Sequence, residues 1–555
     1  MAETTTDVLV VGAGPTGLTM ANLLQRGGVR VRIVDKKDGP TRETRAVVVH
    51  ARTLELLDRL DLAEHAVAAG APLTNAYALS QGKRFGRLSF VSDEGVRSTP
   101  YPFGLIYGQD QMEHLLIQSL AEVGGCVEWN TELLGLEQSS DGARARVRAG
   151  DGNEETIEAR WIIGADGAHS PVRHALSLGF AGRTYVMTLF IADLEMEWDP
   201  GPHQGGMDLE HSGFFFFVPM HGTGRFRLFG TLPPDLADRE SLTVDDVRRV
   251  LDTRTHLHVN ILKANWISVY RTHQRMTEHF RVGRVFLVGD AAHIHSPAGG
   301  QGMNTGIGDA YNLAWKLALV VKGQAHEELL DSYDAERIPF ARAILRGSDW
   351  AFQLMTSTNP ILRTIKLHVL PPVFRSVSWT PLFKRRVFWL ISQLWTSYQD
   401  SPAVAQSSSS KHGPKAGDRA PYGFFEDGSE AGRSIFDLFK NMDHHLFLFA
   451  GSKSVDVPGE MGERLENLLA AYEMPIHLHC VSAANRSLHQ LYGVNESMLV
   501  LVRPDGHIAY RGRAQDLDGF RAYLDRWFQS RTSQSSSGHF VNQREELSVP
   551  PIENE

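Results

Sequence analysis

Residues 7–35 read DVLVVGAGPTGLTMANLLQRGGVRVRIVD, and this stretch decides the fold. Asp7 to Val11 is an apolar run of the kind that forms a buried strand. Gly12, Gly14 and Gly17 follow in GxGxxG spacing, with Pro15 and Thr16 between them. A helical pattern then runs through Leu18, Ala21, Leu23 and Leu24 to Gly27-Gly28, a helix stop. A second β-rich run, Val29 to Val34, closes on Asp35 and Lys36. Strand, glycine turn, helix, strand and terminal acid together make a Rossmann fingerprint. The glycines let the backbone approach a pyrophosphate, and the acid can accept hydrogen bonds from an adenosine ribose. A carboxylate there favours a free 2′-hydroxyl, as in FAD or NAD, over a 2′-phosphate.

Two further stretches repeat the theme of a strand entering a glycine–acid turn. Arg160 to Gly167 reads RWIIGADG, bringing Gly164, Asp166 and Gly167 to a strand end, with Ser170 and Arg173 beyond. Val285 to Lys316 reads VFLVGDAAHIHSPAGGQGMNTGIGDAYNLAWK. Here an apolar strand runs into Gly289-Asp290, then a loop with Pro297, Gly299, Gly300 and Gly302. A helix is expected from near Asn304. Strand, glycine loop and helix N-terminus make a backbone-lined pocket suited to something flat and anionic. Arg42 and Arg45 are candidate phosphate contacts, and Tyr107-Gly108-Gln109 precedes a helical pattern from Met112 to Ala121.

The 555 residues exceed one ordinary core and imply several domains. A formal net charge of −9 argues against nucleic-acid binding. Cys126 and Cys480 are the two cysteines, which leaves no disulfide framework or thiolate metal site and suits a reducing cytoplasm. The N-terminus lacks a signal-peptide pattern, and apolar runs long enough to span a bilayer are missing; Ile361 to Tyr398 reads as amphipathic helices. The expected division is an α/β Rossmann-like domain in two parts, 1–185 and 276–405, the second ending in a helical segment. Between them lies a mainly β substrate domain, 186–275, where Phe214 to Val218 (FFFFV) and Phe226 to Leu232 are paired strands with an apolar, aromatic inner face. A serine-rich linker at Gln406 to Lys411 leads to an α/β unit at 411–528. Residues 529–555 are polar and expected to be disordered.

Three motifs in this order, GAGPTG at 12–17, GADGAHSPVR at 164–173 and GDAAHIHSPAGGQGMN at 289–304, resemble those of the class A flavoprotein aromatic hydroxylases, in particular the branch of phenol hydroxylase and 3-(3-hydroxyphenyl)propionate hydroxylase. The C-terminal unit resembles the thioredoxin-like domain of that branch, without a CxxC pair. The resemblance implies an FAD-dependent monooxygenase that takes electrons from NADPH or NADH and transfers one atom of O2 to a phenolic ring. It also implies residue roles. Gly12, Gly14, Pro15, Thr16 and Gly17 would hold the FAD pyrophosphate, and Asp35 with Lys36 the adenosine end. Arg45, Gln109, Asp166 and Gly167 match cofactor contacts, and Gly289-Asp290 the ribityl chain. Pro297 would lie near the reactive edge of the ring, and Gly300, Gly302, Met303 and Asn304 beside the ring.

The catalytic base is harder to find. Phenol hydroxylase-like relatives carry an acid shortly before an RTLE segment, and the matching residue here is Val47. Tyr270 and His50 are the replacement candidates, each with a structural alternative as a packed tyrosine and a helix-capping histidine. His293 and His295 alternate, but no third ligand lies near in sequence for a metal. His256/His258 and His477/His479 read as strand residues, and Asp309 as a carboxylate favourable to a helix dipole. The apolar helices and appended C-terminal unit fit a homodimer. A monooxygenase acting on a polyketide or quinone, and a non-catalytic FAD-binding scaffold, are the competing readings. A flavin-dependent halogenase would require a Trp-rich motif where this chain has FFFFVP at 214–219.

Overall fold

The computed structural model describes residues 3–531 except 43–45, 200, 202, 212, 258, 297–298, 408–411, 441 and 452–458. Arg45, Pro297, His258, most of the serine-rich linker and nearly all of the tail therefore lie outside the described residues. The first sheet is built on β1 (Glu3–Val11), followed by α1 (Pro15–Arg26), β2 (Val31–Val34), α2 (Gln109–Glu122), β3 (Val127–Glu128), β4 (Glu154–Gly164) and β5 (Val285–Leu287). These strands lie in the order β5–β4–β1–β2–β3, all parallel to their neighbours. Val8, Leu9 and Val10 are buried on both faces of the sheet, which is why β1 reads as a continuous apolar run rather than an alternating one.

Register makes this sheet a binding scaffold. Val11 pairs with Val34 and Gly164, and Gly164 with Leu287. The carboxyl ends of four strands thus form one row, and Gly12, Asp35, Asp166 and Gly289-Asp290 emerge at a single edge. In open parallel sheets this edge is where ligands bind. The long helix α3 (Gln301–Val321) packs on α1 and is buried nearly all round. Close approach depends on Gly306, where a Cβ would stand 2.2 Å from Thr16 Oγ1. The helix begins three residues earlier than expected. Its N-cap is Gly300, in a left-handed conformation, so glycines that read as loop belong partly to the first turn.

The second sheet has eight strands, and the hairpin Asn75–Ser80/Lys83–Ser89 is part of it. The second sheet is therefore not one insertion at 186–275; it also takes strands from within 1–185. The two expected strands are present as Gly213–Pro219 and Arg225–Thr231, antiparallel to each other. Period-two geometry splits their side chains between faces. Phe215, Phe217, Phe226 and Leu228 pack under the helix Val244–Arg254, while Phe214, Phe216, Val218 and Phe229 occupy the opposite face. His256 is not a strand residue; it sits at positive φ before the strand Val259–Met276.

Helix α4 (Ser332–Thr356) and the helices within 360–392 bridge to the C-terminal unit. That unit has a five-stranded mixed sheet, which includes His444–Phe449, Ile476–Val481 and Met498–Val502. Ala405–Gln406, expected to lead into a linker, is its edge strand against Ile508–Arg513. The turn Pro504-Asp505-Gly506 plugs into the first domain: Arg59 donates to the Pro504 carbonyl (2.5 Å) and Arg52 to that of Asp505. Beneath it Arg503 makes a bidentate pair with Glu336 (2.7 and 2.9 Å), which Lys316 also contacts (2.9 Å). All three side chains are fully buried. Among the described residues no helix is long and apolar enough to cross a membrane.

Candidate active site

At the β1 end the chain turns sharply on Gly12 (φ +106°), where a Cβ would collide with the Ala165 carbonyl. Gly14 caps α1, and the space beside it is open. Pro15 at the first helical position leaves the N–H groups of Thr16 and Gly17 facing a helix N-terminus that no side chain caps. An anion placed there meets these donors and the positive end of the helix dipole. Asp35 is buried, and accepts from Ala13 N (2.7 Å) and Lys37 N (2.9 Å). A carboxylate offers about four acceptor positions, so capacity remains for ribose hydroxyls. Lys36 is exposed at the rim, while Lys37, which the sequence reading passed over, stands 3.8 Å from Asp35. Gln109 donates to buried Glu113 (2.9 Å), which also accepts from Thr41 N (2.7 Å). Arg42 is paired with Asp38 at the surface (3.4 Å) and is not drawn into this site.

The other two motifs meet over the strand row. Asp166 Oδ2 accepts from Val172 N (2.9 Å), and its buried Oδ1 is without a partner among the described residues. Burial pushes its carboxyl above the ordinary range, against the hydrogen bonds from Ser170 and Val172. Such an orphan acceptor fits a ligand hydroxyl. Arg173 ties the motifs together, donating to the carbonyls of Ala291 (2.9 Å) and Ala168 (2.9 Å). Gly289 to Ala291 forms one tight helical turn at the end of β5, on which Asp290 is exposed. The surrounding protein mass still desolvates Asp290 and raises its carboxyl above the ordinary range.

Asp309 is the unforeseen organiser. It lies more than two turns into α3, beyond the reach of a helix-end dipole. Its carboxylate accepts from Gly289 N (3.0 Å), His293 Nε2 (2.7 Å) and Arg337 Nε (2.6 Å). Burial would raise its pKa, but Arg337 and His293 outweigh that and bring it down to about 2. Arg337 also reaches the Thr305 carbonyl (3.1 Å) and the Tyr398 hydroxyl (2.9 Å). His295 lies beside His293 with its ring tilted by 56°, and 3.1 Å separates their ring nitrogens. The pair belongs to this network.

The first turn of α3 is held in place by its own side chains. Asn304 accepts from His50 N (2.8 Å) and donates to the carbonyls of Val48 (2.8 Å) and Gly300 (2.8 Å), so its amide is engaged within the protein. Gly302 fronts open space and Met303 packs partly against the core. His50 precedes the helix Ala51–Asp58, with its ring against the Gly299 and Gly300 carbonyls. Burial lowers its pKa to about 4, leaving a weak base at neutral pH. Val47 is buried with Ile106 and Met220, against Val218 and Phe229. Tyr270 is half-buried in an aromatic cluster with Phe214, Phe216, Leu189 and Phe352. Beside it Tyr185 donates to Asp349 Oδ1 (2.6 Å), a polar group the sequence reading did not single out.

A strand row with two glycine–acid turns, an uncapped helix N-terminus and an orphan carboxylate oxygen fits a flavin dinucleotide. The family described as FAD binding domain matches residues 5–348, and that described as aromatic-ring hydroxylase, C-terminal, matches 413–530. The chain belongs to the FAD-dependent aromatic-ring hydroxylases. It is 34% identical over 521 residues to 6-methylpretetramide 4-monooxygenase of Streptomyces rimosus, covering 91% of this chain and 90% of that one. Pentachlorophenol 4-monooxygenase of Sphingobium chlorophenolicum is 33% identical over 446 residues, 78% of each chain. Among solved structures, aklavinone-11 hydroxylase in ternary complex with FAD and aklavinone superimposes with a TM-score of 0.75 at 27% identity, covering 95% of this hydroxylase and all of that chain. The hydroxylase is thus an FAD-dependent monooxygenase of α/β fold.

Proposed function

We propose that this hydroxylase inserts one atom of O2 into a fused-ring phenol, of the polyketide kind, with NADPH or NADH as reductant. The observation that carries the substrate class is the apolar wall of Val47, Phe216, Val218 and Phe229, where Val47 stands at the position expected to hold an acid. An apolar wall recognises aromatic area by burial, and more rings bury more area. A relative acting on 6-methylpretetramide supports the same choice. The balance is one reduced nicotinamide, one proton, one O2 and one aromatic C–H giving oxidised nicotinamide, a phenolic hydroxyl and water. When bound, FAD supplies the two-electron chemistry linking nicotinamide to O2.

The chain's own residues bind and orient. Gly12, Gly14, Pro15, Thr16 and Gly17 cradle the pyrophosphate, and Asp35 with Lys36 serves the adenosine end. Asp166, Gly167 and Asp290 accept from sugar and ribityl hydroxyls. The backbone of Gly300, Gly302, Met303 and Asn304 at the start of α3 favours negative charge on the ring. Arg45, Gln109, Gly289 and Pro297 complete the contacts that the resemblance assigns. Tyr270 forms part of the substrate wall, and His50, held neutral, supports the glycine loop rather than moving a proton. The C-terminal unit acts structurally, as a thioredoxin-like fold without CxxC, and the two free cysteines suit a reducing cytoplasm. Oxidation of NADPH and NADH by the flavin-loaded enzyme, measured with monocyclic and fused-ring phenols under 18O2, tests the reading. Fused-ring phenols are expected to stimulate oxidation more than tenfold over phenol and to gain one labelled oxygen. Equal stimulation by both classes would reject the size argument, and unlabelled product would reject oxygen insertion.

A further inference from the structure

Fifty consecutive residues, Trp350 to Gln399, contain six Lys and Arg and no Asp or Glu, in a chain whose formal net charge is −9. This cationic stretch also exposes large apolar side chains. In the continuous helical run from Pro360 to Val377, Ile361, Ile365, Val369 and Val373 are exposed at four-residue spacing. That spacing sets them in one stripe on the outer side, about 18 Å long at 1.5 Å per residue. The inner side is anchored elsewhere: Lys366 is buried and donates to the Met355 carbonyl (2.7 Å), and Phe374 packs against Gly86. Trp379, 70% exposed, lies between this run and the helix Pro381–Ser392, where Leu382, Arg386 and Leu390 repeat the outward stripe. Trp350, on α4, is also 70% exposed.

We infer that this face docks peripherally on an anionic lipid bilayer. Charge decides among the occupants. A second copy meeting the same face across a two-fold axis would set a segment without acids against itself, apposing like charges. Among the described residues Arg385 pairs with Glu94 (3.1 Å), whereas Arg363, Arg375, Lys384 and Arg386 lie outside any ion pair. An anionic surface complements those four cations, and the apolar stripe and indoles seat at the headgroup boundary. Helix α4 carries exposed Trp350 and, two residues on, Phe352 in the aromatic cluster with Tyr270. Docking therefore brings the bilayer beside the substrate wall, although the binding itself does not depend on the substrate reading.

The test is co-sedimentation of the flavin-loaded enzyme with phosphatidylcholine vesicles, with and without 30% phosphatidylglycerol, at low and high salt. Sedimentation is expected with the anionic vesicles at low salt and is expected to fall at high salt. Arg375→Gln with Arg386→Gln should weaken it about 25-fold, roughly fivefold for each cation removed. Val369→Ser with Trp379→Ser should abolish it while flavin content and melting temperature stay unchanged. Failure to sediment with anionic vesicles at low salt would overturn the proposal, as would equal binding to both vesicle types. A two-chain particle in light scattering that Val369→Ser with Trp379→Ser converts to one chain would assign the face to a second copy instead.

Discussion

The two walls of the cleft are built on opposite principles. On the cofactor side, charged groups are buried and paired, Asp309 alone holding Gly289, His293 and Arg337, while Asp166 Oδ1 and the N–H groups at the start of α1 are left for a ligand. On the side we assign to the substrate, Phe216, Val218 and Phe229 are half-buried apolar side chains, with Val47 buried against Val218 and Phe229. Polar networks of the first kind have few alternative arrangements, because each unpaired member is costly in a low-dielectric interior. Apolar surfaces of the second kind tolerate exchange of one hydrophobic residue for another of similar volume. The cofactor wall is thus fixed by chemistry and the substrate wall by shape.

Four measurements would break or sharpen this contrast. Asp309→Ala should have the largest effect, about 3–5 kcal/mol of stability, because it leaves the Arg337 cation buried without its carboxylate. Chemical denaturation reads this directly, and a loss below about 1 kcal/mol would mean that the cofactor wall does not depend on the network. Asp290→Ala comes next. Losing a charged acceptor for the ribityl hydroxyls should weaken FAD binding roughly 10- to 100-fold, and unchanged flavin titration would move the ribityl chain elsewhere. The third concerns pH. His50 has a folded pKa depressed to about 4, below its unfolded value near 6.5, so the unfolded chain binds the proton first. Its contribution is therefore present above pH 6.5 and declines as pH falls towards 4. His295, His444, His445, His479 and His507 are depressed in the same way and add to the acid slope. His50→Asn should therefore reduce the loss in denaturation free energy between pH 7 and pH 5 by roughly 2 kcal/mol, and an unchanged slope would mean that His50 is not held neutral. Tyr270→Phe should be the mildest, changing phenol-stimulated nicotinamide oxidation by less than about tenfold. A drop of about 10²–10⁴ would instead make that hydroxyl a proton-transfer group.

The same contrast explains what could be read from the chain. Gly12 to Gly17, Asp35, Asp166 and Asp290 announce themselves because a glycine turn at a strand end followed by an acid has local spacing, and the parallel register then gathers the turns. Asp309 reads from the chain only as a helix-dipole carboxylate, because the Gly289 it holds is 20 residues away and its partner Arg337 is 28 residues away, and a lone acid in a helix carries no local mark of either. The start of α3 was misjudged by three residues because glycine suits loops by propensity, yet tight packing between Gly306 and Thr16 rewards it inside a helix. The hairpin at 75–89 joined the second sheet through pairing with Gly205–Glu210, a contact 130 residues away in sequence at Gln81 and His211. The substrate wall was legible as aromatic strands, but which face meets a ligand depends on what covers the other, and that is a tertiary fact.

The plug at Pro504-Asp505-Gly506 has a consequence for anyone recombining these enzymes. The C-terminal unit looks exchangeable as a module, yet Arg503 is neutralised by Glu336 of α4, and Glu336 in turn holds Lys316 of α3. A chimera that swaps residues beyond 411 must carry Arg52, Arg59, Lys316 and Glu336 with it, or choose donors that already share them. The natural crossover point for hybrids is therefore a set of side chains and not a position along the chain.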